Sequence, residues 1–205
     1  MTTLMLFFAA GCSGLAYHAA KDPDRLLARH DMKPPHTFDK LTTCSRSGCS
    51  ETSIVRLSRR EWRQVADLFT PPPGNAAEER RTMARAVGLM ERLVGPKNDT
   101  FADEARNAWK YGDRSHQLDC ISESLNTTVF LELFQRQRLL RWHMVRYPAH
   151  RGILDLTIPH NTAVVEQTDN GDLYAVDSWF RANGEDAVVV PMAKWLDGYD
   201  PGQIR

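Results

Sequence analysis

The run "HQLDCISESLNTTVFLELF", residues 116–134, decides how the rest of the chain is read. Ile121, Leu125, Val129, Phe130 and Leu133 recur at helical spacing, and Asp119 stands where an N-cap belongs. A helix is therefore expected to start at Cys120, in the turn where backbone N–H groups lack intrahelical partners and the helix dipole favours negative charge. The carboxylate of Asp119 works against that charge. The helix start alone does not make the thiol a nucleophile, so a base is required.

Downstream of this helix the pattern changes to β-rich runs: "WHMVRYP", "HNTAVVEQT", "LYAVDSW" and "AVVVP". "DNGD" between the second and third is a hairpin signal. His143, His150 and His160 all follow Cys120, and His160 opens the second run while Asp177 closes "LYAVD". A two-residue turn at Asn170 and Gly171 would set His160 opposite Arg181 and Asp177 opposite Val164. Both side chains then share one face of the ribbon, but about 13 Å apart along it. A bulge, or a turn nearer residues 168 and 169, is needed to close the gap.

Upstream, "SIVRL" is a strand candidate. "SRREWRQVADLF" follows it, with Ser58 and Glu61 as a capping box and Trp62, Val65, Ala66 and Phe69 on one face. It stops at "PPPG". Asn75 and Glu78 open another helix, which carries Met83, Val87, Met90 and Val94 and is expected to end at "GP", residues 95–96. "KNDTFADEARNAWKYGDRSHQ" reads as a long loop, of a length usually reserved for a site. Helices first and an antiparallel meander afterwards give an α+β fold, with N-terminal helices, the cysteine-bearing one among them, packed on an antiparallel sheet.

Three further cysteines have other expected uses. Cys44 and Cys49, in "TTCSRSGCSE", read as a short-loop disulfide. A rival metal-dependent protein built on these two with His30 and His36 fits no zinc spacing well. At the N-terminus, "LMLFFAAGCSG" resembles a bacterial lipoprotein signal: cleavage after residue 11 would leave Cys12 first and lipidated. Its departures are Ala9 three before the cysteine and an n-region "MTT" without Lys or Arg. On this reading residues 1–11 are signal peptide, 12–43 a tether with one short helix near Leu26 and Leu27, and 44–205 a single domain. The chain would sit in the cell envelope, anchored to the membrane by lipid and facing the periplasm. Cys120 then remains as the one free thiol.

Acidic and basic residues balance at 26 each, which removes the electrostatic case for nucleic acid as a partner. No apolar run approaches the roughly 20 residues of a spanning helix. No glycine-rich phosphate loop follows a strand, so no nucleotide is expected, and no cofactor or metal is implied.

A cysteine at a helix start, a histidine entering a strand and an aspartate on the partner strand resemble the core of the transglutaminase-like proteins of the papain-like superfamily. The likeness rests on "DC" at 119–120, "PHNTAVV" at 159–165 and "YAVDSW" at 174–179. It implies Cys120 as nucleophile, His160 as general base and later acid, and Asp177 as the group that fixes the imidazole. The implied reaction is acyl transfer through a thioester to water or an amine, on a peptide or amide-containing envelope substrate. The backbone N–H of Cys120 is one oxyanion donor, and Gln117 is the candidate for the second. Ser122, Glu123 and Asn126 either serve this site or lie on the exposed face of the helix. The rival reading keeps the fold without chemistry, as an envelope lipoprotein that uses it as a binding scaffold.

Overall fold

The computed structural model describes residues 22–107, 116–152 and 159–202. Cys12 and the signal-like segment 1–11 lie outside the described residues. The fold is α+β, with a two-stranded and a four-stranded antiparallel sheet and the helices packed among them.

Helix α1 (Pro23–Arg29) is followed by strand β1 (Leu41–Cys44), a 3-10 turn (Ser47–Cys49) and strand β2 (Thr52–Val55), which pairs antiparallel with β1. The expected boundary at Cys44 moves upstream, because Leu27, Met32 and Leu41 are buried in the main core. From Pro23 onward the segment read as tether is part of the packed structure. Helix α2 (Arg59–Asp67) opens on the capping box, with both reciprocal bonds of Ser58 and Glu61 present.

Helix α3 (Ala76–Asn98) is capped by Asn75, whose side chain accepts the Glu78 N–H at 2.9 Å. It does not end at Gly95–Pro96 as expected. It runs one turn further to a left-handed C-cap at Asp99, and the Gly95 carbonyl accepts the Thr100 N–H at 3.0 Å. The proline removes one donor near the helix end, and the next residue, Lys97, pairs with Glu61 of α2 at 2.8 Å. Gly88 is needed for space, since a Cβ there would run into the Glu185 carbonyl of a loop that crosses α3.

Helix α4 (Cys120–Arg136) is the centre of the molecule. It touches α3, strand β1, the 3-10 turn and three strands of the larger sheet. Every residue from Ser122 to Phe134 is buried, so the expected one-sided stripe is corrected. Ile121, placed on that stripe, is instead among the exposed apolar residues. Val129, Phe130, Leu131, Leu133 and Phe134 supply its apolar contacts. Truncating Phe130 to Ala would cost about 3–5 kcal/mol.

The larger sheet is a meander, β3 (His143–Arg151), β4 (His160–Gln167), β5 (Leu173–Asp177) and β6 (Val188–Pro191), in that spatial order. Both faces are covered. Ala163, Val165 and Val176 enter the main core with α4, whereas Val164, Ala175, Val188 and Val190 pack with Phe180 and Trp195 on the other side. Trp195 belongs to the short helix α5 (Met192–Leu196). This explains an apolar run in β4 that lacks alternation.

Two register details position the site. Between β3 and β4 the pairing shifts between Arg146 and Ala149, at Tyr147–Pro148, after which His150 faces Asn161. Proline cannot donate to a ladder, so a bulge forms where it sits. Between β4 and β5 the turn spans residues 168–171 rather than Asn170–Gly171 alone, because Gln167 and Asp172 still bond across it at 2.8 Å. Ala163 faces Val176, which replaces the expected pairing of Val164 with Asp177. His160 and Asp177 thereby become diagonal neighbours on one face, within side-chain reach.

Candidate active site

Cys120 is the first residue of α4, is half-buried and carries the free thiol among the described residues. Its N-cap, Asp119, accepts the Ser122 N–H through Oδ1 at 3.0 Å and the Gly48 N–H through Oδ2 at 2.9 Å. The carboxylate charge next to the thiol is therefore occupied by two backbone donors.

Cys44 and Cys49 form a disulfide, so neither sulfur can hold a metal as a thiolate. No cluster of three His, Cys, Asp or Glu side chains suited to a metal occurs among the described residues. The disulfide loop grips the first turns of α4. The Cys49 N–H donates to Ser122 Oγ at 2.9 Å, and that hydroxyl donates to the Arg46 carbonyl at 2.7 Å. Asn126 accepts the Cys44 N–H at 2.7 Å and donates to the Cys44 carbonyl at 3.0 Å. Ser122 and Asn126 are thus buried connectors, not surface decoration.

His160, at the first position of β4, places Nε2 at 2.7 Å from Asp177 Oδ2. The same oxygen accepts the indole N–H of buried Trp195 at 2.7 Å, which fixes the carboxylate in turn. Trp179, Phe180 and Trp195 surround the imidazole, with ring centroids 4.5, 5.2 and 5.5 Å away. Burial by itself would lower the His160 pKa. The hydrogen bond and charge of Asp177, together with the neighbouring Cys120 sulfur, outweigh it and raise the pKa to about 9. The other nitrogen, Nδ1, is shielded from solvent and has no hydrogen-bond partner among the described residues. The predicted residues are therefore brought together: Asp177 bonds one nitrogen of the ring, and Cys120 acts on the same ring.

Gln117 has a different place. Its Nε2 donates to the Ala102 carbonyl at 2.7 Å, and its Oε1 accepts from Asn107 at 2.6 Å and from the Glu104 N–H at 3.1 Å. Both ends of the amide tie down the segment before α4. The amide that reaches the sulfur belongs to Asn161, whose Nδ2 lies 3.6 Å from Cys120 Sγ. Sequence reasoning misses Asn161, because only the bulge in β3 and the start of β4 bring it there.

Behind the site lies a buried acidic group that is also not legible in the sequence. Glu123, one turn after Cys120, accepts from Ser178 Oγ at 2.5 Å, and Ser178 meets Thr127 at 2.9 Å. Burial, then the charge of Glu123, pushes the Asp103 pKa up to about 9. Burial is also the largest cause raising Glu123 and Glu91. Asp103, at about 9, keeps its proton near neutral pH. Asp177 is the carboxylate that bonds His160 directly.

No protein-family model, curated protein or solved structure matches the chain.

Proposed function

We propose that the chain is a thiol-dependent acyl-transfer enzyme of the transglutaminase-like, papain-like type, acting on an amide or peptide bond in the cell envelope. The observation that carries the reading is His160, a buried ring bonded to Asp177 by one nitrogen and interacting with the Cys120 thiol. A histidine whose pKa is raised to about 9 keeps its proton at neutral pH. Cys120 would attack as thiolate, forming the S–C bond while the carbonyl electron pair moves to oxygen. The imidazolium then protonates the departing amine as the C–N bond breaks. Neutral His160 next takes a proton from water or an amine, which attacks the thioester and releases the sulfur. Asp177 orients the ring throughout. Anchoring through a lipid on Cys12 is part of the same proposal.

The test is the reactivity of Cys120 toward iodoacetamide and p-nitrophenyl acetate at neutral pH. Both should react well above the rate of free cysteine, and His160→Ala should remove most of the excess, about 10²–10⁴-fold in acylation. Reaction at the rate of free cysteine in the native chain, unchanged by His160→Ala, overturns the proposal and favours the scaffold reading.

A further inference from the structure

We infer that Asn161 supplies the second oxyanion donor of this site, an inference that rests on the acyl-transfer reading of Cys120. When a thiolate adds to a carbonyl, negative charge develops on an oxygen attached to the carbon that the sulfur has just bonded. A donor already directed at the sulfur needs little movement to reach that oxygen, where catalysis calls for about 2.7–3.1 Å. The Asn161 amide is such a donor, at 3.6 Å from Sγ. The Cys120 N–H, at the first position of α4, has no intrahelical partner and is the other donor.

Asn161 is held in place as a preorganised donor should be. Its Oδ1 lies 3.2 Å from His150 Nδ1 on the neighbouring strand. That contact exists because the bulge at Tyr147–Pro148 sets His150 against Asn161 in the ladder. With Oδ1 engaged on the strand side, the amide's N–H₂ is the end turned to the sulfur. His160 and Asn161, adjacent at the start of β4, both meet the Cys120 sulfur and take different tasks. The ring moves the proton, and the amide receives the oxygen. The step balances: the S–C bond and the oxyanion form together. The oxyanion then collapses, expelling the leaving group with the proton from His160.

Two probes of the folded chain separate this role from a simple contact with sulfur. p-Nitrophenyl acetate acylates Cys120 through a tetrahedral oxyanion, whereas iodoacetamide alkylates it by displacing iodide, with no oxyanion. Asn161→Ala, and Asn161→Leu as a variant that keeps the volume, should slow acylation about 10²–10³-fold. Alkylation should change no more than about tenfold, the worth of one hydrogen bond to the sulfur. Equal losses with both probes, or no loss in either variant that retains a cooperative melt, overturn the inference. If the native chain itself is acylated no faster than free cysteine, the acyl-transfer reading fails and this inference falls with it. Fast native acylation with unaffected Asn161 variants removes the donor alone.

Discussion

Two buried histidines, His143 and His160, each open a strand and each pair with a carboxylate, yet their surroundings differ. His143 Nδ1 donates to Glu79 Oε1 at 2.9 Å, and its Nε2 lies 3.2 Å from the Arg80 guanidinium. Glu79 also accepts the N–H groups of Arg141 and Trp142, at 2.7 and 3.0 Å. Every polar atom of that pair has a partner, and both side chains are sealed from solvent. His160 has the same carboxylate arrangement on one nitrogen, but its other nitrogen has no hydrogen bond among the described residues and the ring borders a half-buried thiol. A saturated histidine can only hold structure, while one with a free nitrogen beside a thiol can exchange a proton. Burial and pairing alone do not separate the two.

The contrast breaks most visibly at the sulfur. Cys120→Ala should abolish both labelling and acyl transfer while lowering stability by less than about 1 kcal/mol, since the side chain is only half-buried. A large loss in the thermal melt would make Cys120 a packing residue. Next, Asp177→Asn should slow acylation strongly, up to about 10⁴-fold by analogy with the orienting aspartate of serine proteases. Glu79→Gln should leave acylation of the folded protein unchanged, yet cost about 3–5 kcal/mol by disturbing a fully buried pair. Urea titrations and burst kinetics on the two variants settle whether the histidines divide as described. A slow Glu79→Gln variant would erase the distinction.

Stability of the fold should also depend on pH through His160 and Asp103. The folded-state pKa of His160 is raised above its ordinary 6.5 to about 9, so folded protein binds this proton more tightly than unfolded chain. Its contribution to stability is complete below pH 6.5 and disappears as pH rises through 9, at most about 3 kcal/mol. Asp103, likewise raised to about 9, contributes with the same sign, because a proton retained by the folded state is lost on alkalinisation. Unfolding titrations from pH 6 to 10 should therefore show falling stability, less steep in Asp103→Asn. A flat profile would contradict both shifts. The smallest effect belongs to Gln117→Ala, which should leave thiol reactivity unchanged and cost about 1 kcal/mol through its lost bonds to the 102–107 segment.

Local signals were readable in the sequence because they act over a few residues. The Ser58–Glu61 box, the Asn75 cap and the Asp119 cap before Cys120 all appear where side-chain chemistry places them. The β4–β5 register was not readable from "DNGD", since a two-residue and a four-residue turn share those residues and differ only in the pairing of Gln167 with Asp172. Asn161 depends on the β3 bulge, a non-local consequence of Pro148. Glu123, Ser122 and Asn126 look like an exposed helical face because polarity normally means solvent. Here their partners come from β1, the disulfide loop and the residue after β5.

That wiring has a kinetic consequence. The bonds that hold the start of α4 join residues 82, 76, 73 and 71 positions apart in the chain, and Asn161 reaches Cys120 across 41. Contacts with such long separations form only after the intervening segments have been ordered, which makes them slow and late. A nascent or partly unfolded chain can form the helix locally, but it cannot yet present imidazole and amide to the sulfur. The surroundings of the Cys120 sulfur are therefore complete only when the last long-range contacts close, and on the proposed acyl-transfer reading the fold would act as its own timer.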